Sequence, residues 1–384
     1  MSPDQAGTVP PQSLQPLTAD DPTEVGGYRL HARLGAGGMG RVYLSYTPGG
    51  RPVALKVVRP ELAEDPEFRD RFAQEVASAR LIHGLYTAQV VDAGVDAAVP
   101  WLATAYVAGP SLQQVVRQYG PLPERTVLLL IAGIAEALQA IHAAGVVHRD
   151  LKPANVLLAP DGPRVIDFGI ARAADAVALT GTGLRVGSPG FMAPEQALGL
   201  PATAATDIFA LGALATYIAG GNPPFGDGPE AGALYRAVHT EPDLDLLPPG
   251  VAELVGYCLA KQPEARPSTA QLIEAVHRHP AVGGRLRFSD DWLPRQIGAD
   301  LARHAELAGH VDLADLADPS GFPTPSPSPS PSPSQAQAQA WTQTGEARTL
   351  LVPAATARLE APTAVVAATP LPTPLPTPAP TAAP

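Results

Sequence analysis

Cysteine, lysine and aromatic residues are all scarce in this chain of 384 residues. Its one cysteine, Cys258, cannot form a disulfide within the chain, so nothing indicates an oxidising compartment, and we expect a buried thiol. Only three of the 26 basic residues are lysine, namely Lys56, Lys152 and Lys261. Arginine replaces lysine freely on protein surfaces, so these lysines are candidates for sites that require a compact ammonium group.

Basic charge and long apolar runs are also lacking. The net charge of −11 argues against a protein built to bind nucleic acid, because such proteins usually present a basic surface. The first 27 residues contain acidic side chains but no lysine or arginine, so no signal peptide is expected. The uncharged stretch 208–225 has an apolar part that is too short to span a bilayer and predicts a buried helix. These features predict a cytoplasmic protein without a membrane span or a nucleic-acid partner.

Four segments of the chain differ in composition. Residues 1–27 are acidic and aperiodic, which predicts disorder, whereas residues 28–280 alternate strand-like and helix-like stretches and predict a folded domain. Residues 281–320 have only a weak apolar stripe, which would suit one more helix. Residues 321–384 contain 15 of the 45 prolines, and this composition predicts a disordered tail that acts as a spacer rather than a docking site. The stripe of the third segment consists of Ile297, Leu301 and Ala305.

A glycine-rich run, "LGAGGMGRVYL", occupies residues 34–44 and has the pattern G-x-G-x-x-G at Gly35, Gly37 and Gly40. Two unrelated phosphate-binding devices use this spacing: the dinucleotide-binding turn and the hairpin that covers ATP in kinases. The run continues into "RVYLSY", the turn "TPGGR" and "PVALKVV", which predict two strands. No helix begins at the glycines, so the context favours a hairpin over the dinucleotide-binding turn.

The second strand and the next helix each carry one charge towards the same interior. Strand alternation places Lys56 on one face with Ala54. Asp65 and the proline after it begin a helix whose apolar stripe has Glu75 at its centre. A buried carboxylate needs a partner, so we expect an ion pair between Glu75 and Lys56, although an edge-strand lysine and a glutamate reaching water remain alternatives. The stripe consists of Phe68, Phe72, Val76 and Ala79.

The stretch "HRDLKPANVLLAPDGPRVIDFG", residues 148–169, resembles the catalytic loop and metal-binding segment of the protein kinase superfamily. H-R-D-L-K-P-x-N followed by D-F-G at family spacing is highly specific. The resemblance extends over about residues 28–280. It implies that Asp150 accepts the proton of the substrate hydroxyl and that Lys152 neutralises charge on the transferring phosphoryl group.

A metal site is expected where this stretch folds back on itself. "NVLL" and "RVID" flank "APDGP", which has turn chemistry. If Leu158 pairs with Arg164, the antiparallel register places Asn155 opposite Asp167. Their oxygens would then hold Mg²⁺, or Mn²⁺ as an alternative, with the phosphates of ATP completing the shell.

The resemblance also implies an ATP site beneath the glycine hairpin. Lys56 in "VALK" matches the lysine that anchors the phosphates, and Glu75 matches its helical partner. "WLATAYVAG" matches the segment that joins the two lobes, with Thr104 guarding the adenine pocket; Ala105 stands where relatives often have glutamate. The implied ATP contacts are Leu34, Gly35, Ala36, Gly37, Gly38, Met39, Gly40, Arg41, Val42, Ala54, Lys56, Glu75, Thr104, Tyr106 and Val107.

Substrate class and regulation follow from the same resemblance. "DLKPAN" is the form found in Ser/Thr-specific members, and Ser188 matches a residue that contacts the catalytic aspartate and lysine. Arg149 leaves a positive charge that activation-loop phosphorylation usually relieves. Thr180 and Thr182 have the spacing of paired activating threonines in bacterial relatives, so we expect autophosphorylation there. The alternative is that they are ordinary loop residues.

We therefore expect an α+β, bilobal protein-kinase fold: a small lobe of antiparallel sheet and a larger helical lobe. Three residues should brace it, because Glu195 is expected to pair with Arg266, and Asp207 to hold the catalytic loop. The expected reaction is transfer of the γ-phosphoryl group of ATP to Ser/Thr hydroxyls of proteins, including the kinase itself, and a transient homodimer could form. A pseudokinase that only binds, and a scaffold acting through its proline-rich tail, are the alternatives.

Overall fold

The structure is a computed structural model that describes residues 14–168, 189–226, 228–289 and 291–309, without the side chains of Glu230 and 304–309. Thr180, Thr182, Ser188 and the tail 321–384 lie outside the described residues.

Strands dominate the first third of the described chain. A small antiparallel pair precedes a five-stranded antiparallel sheet with the order β3-β4-β5-β7-β6. The turn at "TPGGR" joins β4 to β5, as its composition predicts. The strands are β1 Glu24–Val25, β2 Tyr28–Arg29, β3 Ala32–Ala36, β4 Gly40–Tyr46, β5 Pro52–Val58, β6 Val90–Gly94 and β7 Trp101–Ala105.

Two helices, α1 Pro60–Ala63 and α2 Pro66–Ala79, follow β5. The carboxylate of Asp65 caps α2 by accepting a hydrogen bond from the Glu67 amide at 2.9 Å. Phe68, Phe72 and Val76 of the predicted apolar stripe are buried against the inner face of the sheet, which carries Val58 and Leu102, whereas Ala79 packs into the core of the helical part. This face also presents Lys56, whereas Val53 and Leu55 pack on the outer face, as strand alternation predicts.

Helices build the remainder around one large apolar core. The helices are α3 Leu112–Tyr119, α4 Glu124–Ala143, α5 Pro194–Ala197, α6 Ala204–Gly220, α7 Glu230–His239, α8 Pro249–Cys258, α9 Thr269–Arg278 and α10 Arg295–Gly309. Helix α4 is long and apolar enough to cross a membrane, but 72% of its apolar window is buried inside the domain, as expected for a core helix. Helix α6 is the buried helix predicted within 208–225, and Cys258 is buried beside it. Burial raises the pKa of the Cys258 thiol to about 12.

A short hairpin, β8 Val156–Ala159 and β9 Gly162–Val165, follows the catalytic loop. Arg164 pairs with Leu157, so the register predicted from Leu158 is wrong by one residue. The strands are joined by a two-residue turn rather than five residues, because Gly162 adopts a φ of 124° that other residues avoid. The expected pairing of Asn155 with Asp167 is therefore absent from this ladder; the Ile166 amide instead donates to the Asn155 carbonyl at 3.0 Å.

The chain just outside both ends of the predicted domain is also folded and packs against it. Residues 14–27, expected to be disordered, form β1 and place the Asp21 side chain in a fully buried position. Short polar segments of this kind become ordered when a neighbouring sheet supplies partners. Helix α10 forms where the weak stripe suggested a helix, with Ile297 and Leu301 buried against the core.

Candidate active site

Three predicted catalytic residues meet in the loop before β8. Lys152 Nζ lies 2.7 Å from Asp150 Oδ2. The Asn155 side chain donates from Nδ2 to the Asp150 carbonyl at 2.8 Å and to its Oδ2 at 3.2 Å. These contacts bring a carboxylate, an ammonium and an amide together within one loop.

A buried aspartate fixes the backbone of this loop. Asp207 on α6 is fully buried and accepts hydrogen bonds from the amides of His148 and Arg149, each at 2.8 Å. Arg149 has a φ of 67°, a conformation that costs energy for a residue with a side chain and needs such support. Gln196 Nε2 adds a 2.9 Å hydrogen bond to the Arg149 carbonyl. The role expected for Asp207 therefore has a structural basis.

His142, which no sequence motif indicates, also contacts Asp207. Its Nε2 lies 2.7 Å from Asp207 Oδ2, and it projects from the last turn of α4. A histidine near the end of an apolar helix carries no signal by itself, because its partner is distant in sequence. It became recognisable only when the fold placed α4 beside α6.

Lys56 forms an ion pair with Asp167 Oδ1 at 3.1 Å. Among the described residues no ion pair joins Lys56 to Glu75, so this expected pair is wrong for the present conformation. Glu75 is half-buried on the sheet-facing side of α2. The difference arises because the orientation of α2 decides which carboxylate reaches the ammonium, and helical periodicity does not determine that orientation.

Neighbouring cationic side chains favour the ionised form of Asp167. Desolvation would raise the pKa of its carboxyl group, but Lys56, followed by His148 and Lys152, outweighs that effect, and the pKa is lowered. Asp167 also has a φ of 57°, an uncommon conformation found at functional sites. An ionised carboxylate next to two lysines suits a site for phosphates and a cation.

The donor atoms fit a divalent metal. Both hydrogen bonds recorded for the Asn155 side chain use Nδ2, so neither occupies Oδ1, the atom that would ligate a cation. Asp167 supplies a carboxylate, and oxygen donors of these two types suit Mg²⁺. Asn155 and Asp167 would thus hold the metal, with the remaining ligands coming from phosphate and water.

The glycine run forms the end of the β3–β4 hairpin, as predicted. A Cβ atom at Gly40 would lie 2.0 Å from the Val57 carbonyl oxygen, so the packing of β4 against β5 requires glycine there. At Gly35, Gly37 and Gly38 a Cβ would meet no described atom within 4 Å. Internal packing therefore does not require glycine at these three positions.

Other residues expected to contact ATP lie on neighbouring strands of the same sheet. Val42 pairs with Lys56, and Ala54 pairs with Thr104. Tyr106 follows directly on β7, and burial raises the pKa of its phenol. The remaining expected contacts lie in the hairpin and in the segment between the lobes; they are Leu34, Ala36, Met39, Arg41 and Val107.

The expected Glu195–Arg266 pair is present and buried. Arg266 donates from Nη1 and Nη2 to the two Glu195 oxygens at 2.7 and 2.8 Å. The Thr206 hydroxyl adds a 2.8 Å hydrogen bond. Desolvation would raise the pKa of Glu195, but the hydrogen bonds, first from Arg266, lower it. This pair ties α5 to the chain that precedes α9.

Comparisons with known proteins agree with this geometry. Residues 28–279 match the family described as protein kinase domain. The chain is 48% identical over 290 residues to the serine/threonine-protein kinase AfsK of Streptomyces coelicolor, covering 73% of this chain and 36% of that protein. It is 45% identical over 284 residues to the probable serine/threonine-protein kinase PkwA of Thermomonospora curvata, covering 74% and 37%. The chain thus spans about a third of the length of these relatives.

A solved structure agrees as well. The kinase domain of Mycobacterium tuberculosis PknI is similar with a TM-score of 0.54 at 29% identity, covering 68% of this chain and 99% of that one. The expected α+β bilobal fold is therefore confirmed. The chain belongs to the protein kinase family, among its bacterial Hanks-type serine/threonine members.

Proposed function

We propose that this chain transfers the γ-phosphoryl group of ATP to serine and threonine hydroxyls of proteins. The observation that carries the proposal is the contact of Asp150 with Lys152 and Asn155, beside the Lys56–Asp167 pair. Protein kinases in general use ATP with a divalent metal; here we propose Mg²⁺, with Mn²⁺ as an alternative.

The contacts of Asp150 suggest how it would act. Both hydrogen bonds recorded for its carboxylate use Oδ2, so Oδ1 is the oxygen that would accept the proton of the attacking hydroxyl. Lys152 would neutralise the negative charge that develops on the transferring phosphoryl group. Lys56 would hold the phosphates from the sheet side. When bound at Asn155 and Asp167, a divalent cation would neutralise phosphate charge.

The direct test is transfer of labelled phosphate from Mg-ATP to a generic protein substrate by the full chain. Asp150→Asn should reduce kcat far more than ATP affinity, whereas Asp167→Asn should abolish metal-dependent turnover. Asp161→Asn is the matched control, because Asp161 is an exposed aspartate in the β8–β9 turn. An active Asp150→Asn variant would contradict the proposed mechanism, and a wild type that binds ATP without transfer would indicate a pseudokinase.

Regulation by autophosphorylation is part of the proposal. Arg149 lies beside the catalytic aspartate, and phosphates on Thr180 and Thr182 would supply the opposite charge and acceptor oxygens to order the segment. Ser188 is proposed to contact Asp150 and Lys152 when substrate binds. These three hydroxyl residues lie outside the described residues, so their sequence positions alone support these roles.

Partners and location are proposed at a coarser level. The protein would act on other proteins and on itself, with a transient homodimer during autophosphorylation. We propose a cytoplasmic location without nucleic-acid partners, supported by the net charge of −11 and by the burial of α4 in the domain core. A role for the proline-rich tail as a scaffold remains a second candidate, and pull-downs with the isolated tail would test it.

A further inference from the structure

Residues 14–29, here called the N-terminal strap, lie on the outer face of the five-stranded sheet. Leu17 and Val25 pack with Tyr28 into an apolar cluster with side chains of β4, β5 and β7. At the free edge of the sheet, Gln15 forms a two-hydrogen-bond bridge with Arg33 of β3, at 2.8 and 3.0 Å. The strap therefore contacts the sheet on its face and along one edge.

Asp21 is the centre of the polar contacts of the strap. Its side chain is completely buried. Arg33 Nη2 lies 2.7 Å from both carboxylate oxygens, and Arg41 Nη1 lies 3.0 Å from Oδ1. The Tyr43 hydroxyl donates to Oδ1 at 2.7 Å, and the Thr18 amide donates to Oδ2 at 2.9 Å. The Thr18 hydroxyl adds a further hydrogen bond to Oδ2 at 3.1 Å, so the carboxylate accepts six hydrogen bonds, from β3, from β4 and from the strap itself.

The two arginines flank the glycine run. Arg33 lies on β3 directly before Leu34, and Arg41 lies on β4 directly after Gly40. Asp21 therefore joins both strands of the hairpin from the face opposite to Lys56. Its backbone neighbour adds a further contact, because Arg41 Nη1 also donates to the Asp20 carbonyl at 3.2 Å.

This arrangement makes the hairpin sensitive to the Asp21 charge. Desolvation would raise the pKa of the carboxyl group, but hydrogen bonds from Thr18, Arg33 and Tyr43 outweigh it and lower the pKa. Without the negative charge, Arg33 and Arg41 would face each other without a counter-ion, and like charges on paired strands repel. The strands that carry the glycines would lose the charged group that joins their side chains on the outer face.

We propose that Asp21 is a positioning residue for nucleotide binding, which fixes the glycine hairpin from its outer face through Arg33 and Arg41. This inference rests on the proposed kinase function for its kinetic test. The phosphates would meet the backbone of the hairpin on the other side, so Asp21 acts through the hairpin without touching the ligand.

The test compares Asp21→Asn with Asp20→Asn in the full chain. Asp20 is the matched control, since it is adjacent, carries the same charge and has an exposed side chain. We expect Asp21→Asn to raise the KM for ATP about fivefold or more, with kcat changed by less than about twofold, and Asp20→Asn to change neither. A purely structural role would instead lower the active fraction and the melting temperature without changing the KM for ATP.

Two further measurements keep the inference separate from the proposed function. Affinity for a non-hydrolysable ATP analogue with Mg²⁺ does not require phosphoryl transfer and should fall by a similar factor. Hydrogen exchange of peptides covering residues 34–44 should become faster in Asp21→Asn. If that variant folds poorly, Tyr43→Phe removes one hydrogen bond to the carboxylate and should produce a smaller change in the same direction. The inference would be overturned if these variants bound the ATP analogue as tightly as the wild type and their hairpin exchanged hydrogen at the wild-type rate. An inactive wild type would overturn only the kinase function.

Discussion

The side chain of Lys56 lies between the sheet and Asp167, so both its charge and its shape matter. Lys56→Met should fold normally and lose nearly all phosphoryl transfer, because the phosphates and Asp167 lose their cation. Lys56→Arg should also be poor, since a planar guanidinium cannot replace a compact ammonium 3.1 Å from the carboxylate. Steady-state kinetics with a melting curve for each variant would check this. Near-normal activity of Lys56→Arg would mean that the lysine has a different role.

The buried Glu195–Arg266 pair gives a prediction about stability and pH. Glu195→Gln leaves Arg266 buried without its counter-ion and should cost about 3 kcal/mol of unfolding free energy near neutral pH. The folded-state pKa of Glu195 is lowered, so the wild-type advantage is complete above the ordinary value of 4.5. It should decrease as the pH falls through the lowered pKa.

Urea denaturation of both proteins across this pH range would measure the difference. Glu274→Gln is the control, because Glu274 pairs with Arg278 at an exposed site and surface pairs contribute little. A difference between wild type and Glu195→Gln that stays constant into acid would show that the charge of Glu195 does not contribute to stability.

At the scale of single residues, motif spacing predicted the catalytic cluster but not every partner. Asp150, Lys152 and Asn155 lie within six positions, so their spacing alone keeps them close, and Asp207 then fixes the backbone of the loop. The partner of Lys56 depends on how α2 packs. Asp21 and His142 contact residues that are distant in sequence and are brought close only by the fold. Sequence patterns report local periodicity, and these long-range contacts have no local signal.

At the scale of elements, periodicity predicted α2, α6 and α10 and the strands around the glycines. It failed at the β8–β9 hairpin, where turn composition alone fitted several loop lengths. The φ of 124° at Gly162 selects the two-residue turn and shifts the register by one. A shift of one residue changes which side chains face each other, so the expected pairing of Asn155 and Asp167 depended on a detail that composition does not specify.

The paired threonines Thr180 and Thr182 provide a prediction at the same scale. After incubation with Mg-ATP, the purified chain should carry phosphate on Thr180, Thr182 or both, as detected by mass spectrometry. Replacement of both by alanine should leave a folded protein with markedly lower activity, because no phosphate is then available to order the loop against Arg149. Asp150→Asn protein is the control for phosphate from another source. Full activity with neither threonine modified would refute this form of regulation.

The whole folded unit is larger than the segment that matches the family. The match covers residues 28–279, yet residues 14–27 and the described residues after 280 are packed onto it. Trp292 Nε1 donates to the Pro160 carbonyl at 3.0 Å, and the Thr126 hydroxyl donates to the Trp292 carbonyl at 2.9 Å. Tyr119 hydrogen-bonds to Asp300, which links α3 to α10. Composition suggested only weak order in these flanks, because their apolar residues are few and become buried against the domain rather than against each other.

Two truncations separate the packed flank from the tail. Removal of residues 281–384 would take away four buried side chains and expose the core around them, namely Trp292, Leu293, Ile297 and Leu301. Each of them contributes about 1.5–3 kcal/mol when fully buried. That loss is comparable to the total stability of a typical domain, so the shortened protein should melt far below the full chain or fail to fold.

Removal of residues 321–384 should leave the melting temperature and the activity towards a peptide unchanged, because the composition of this tail cannot support a core. Thermal denaturation of the three proteins would decide between these outcomes: equal stability after the first truncation would mean that the flank is dispensable, and a loss of several degrees after the second would mean that the tail packs on the kinase domain.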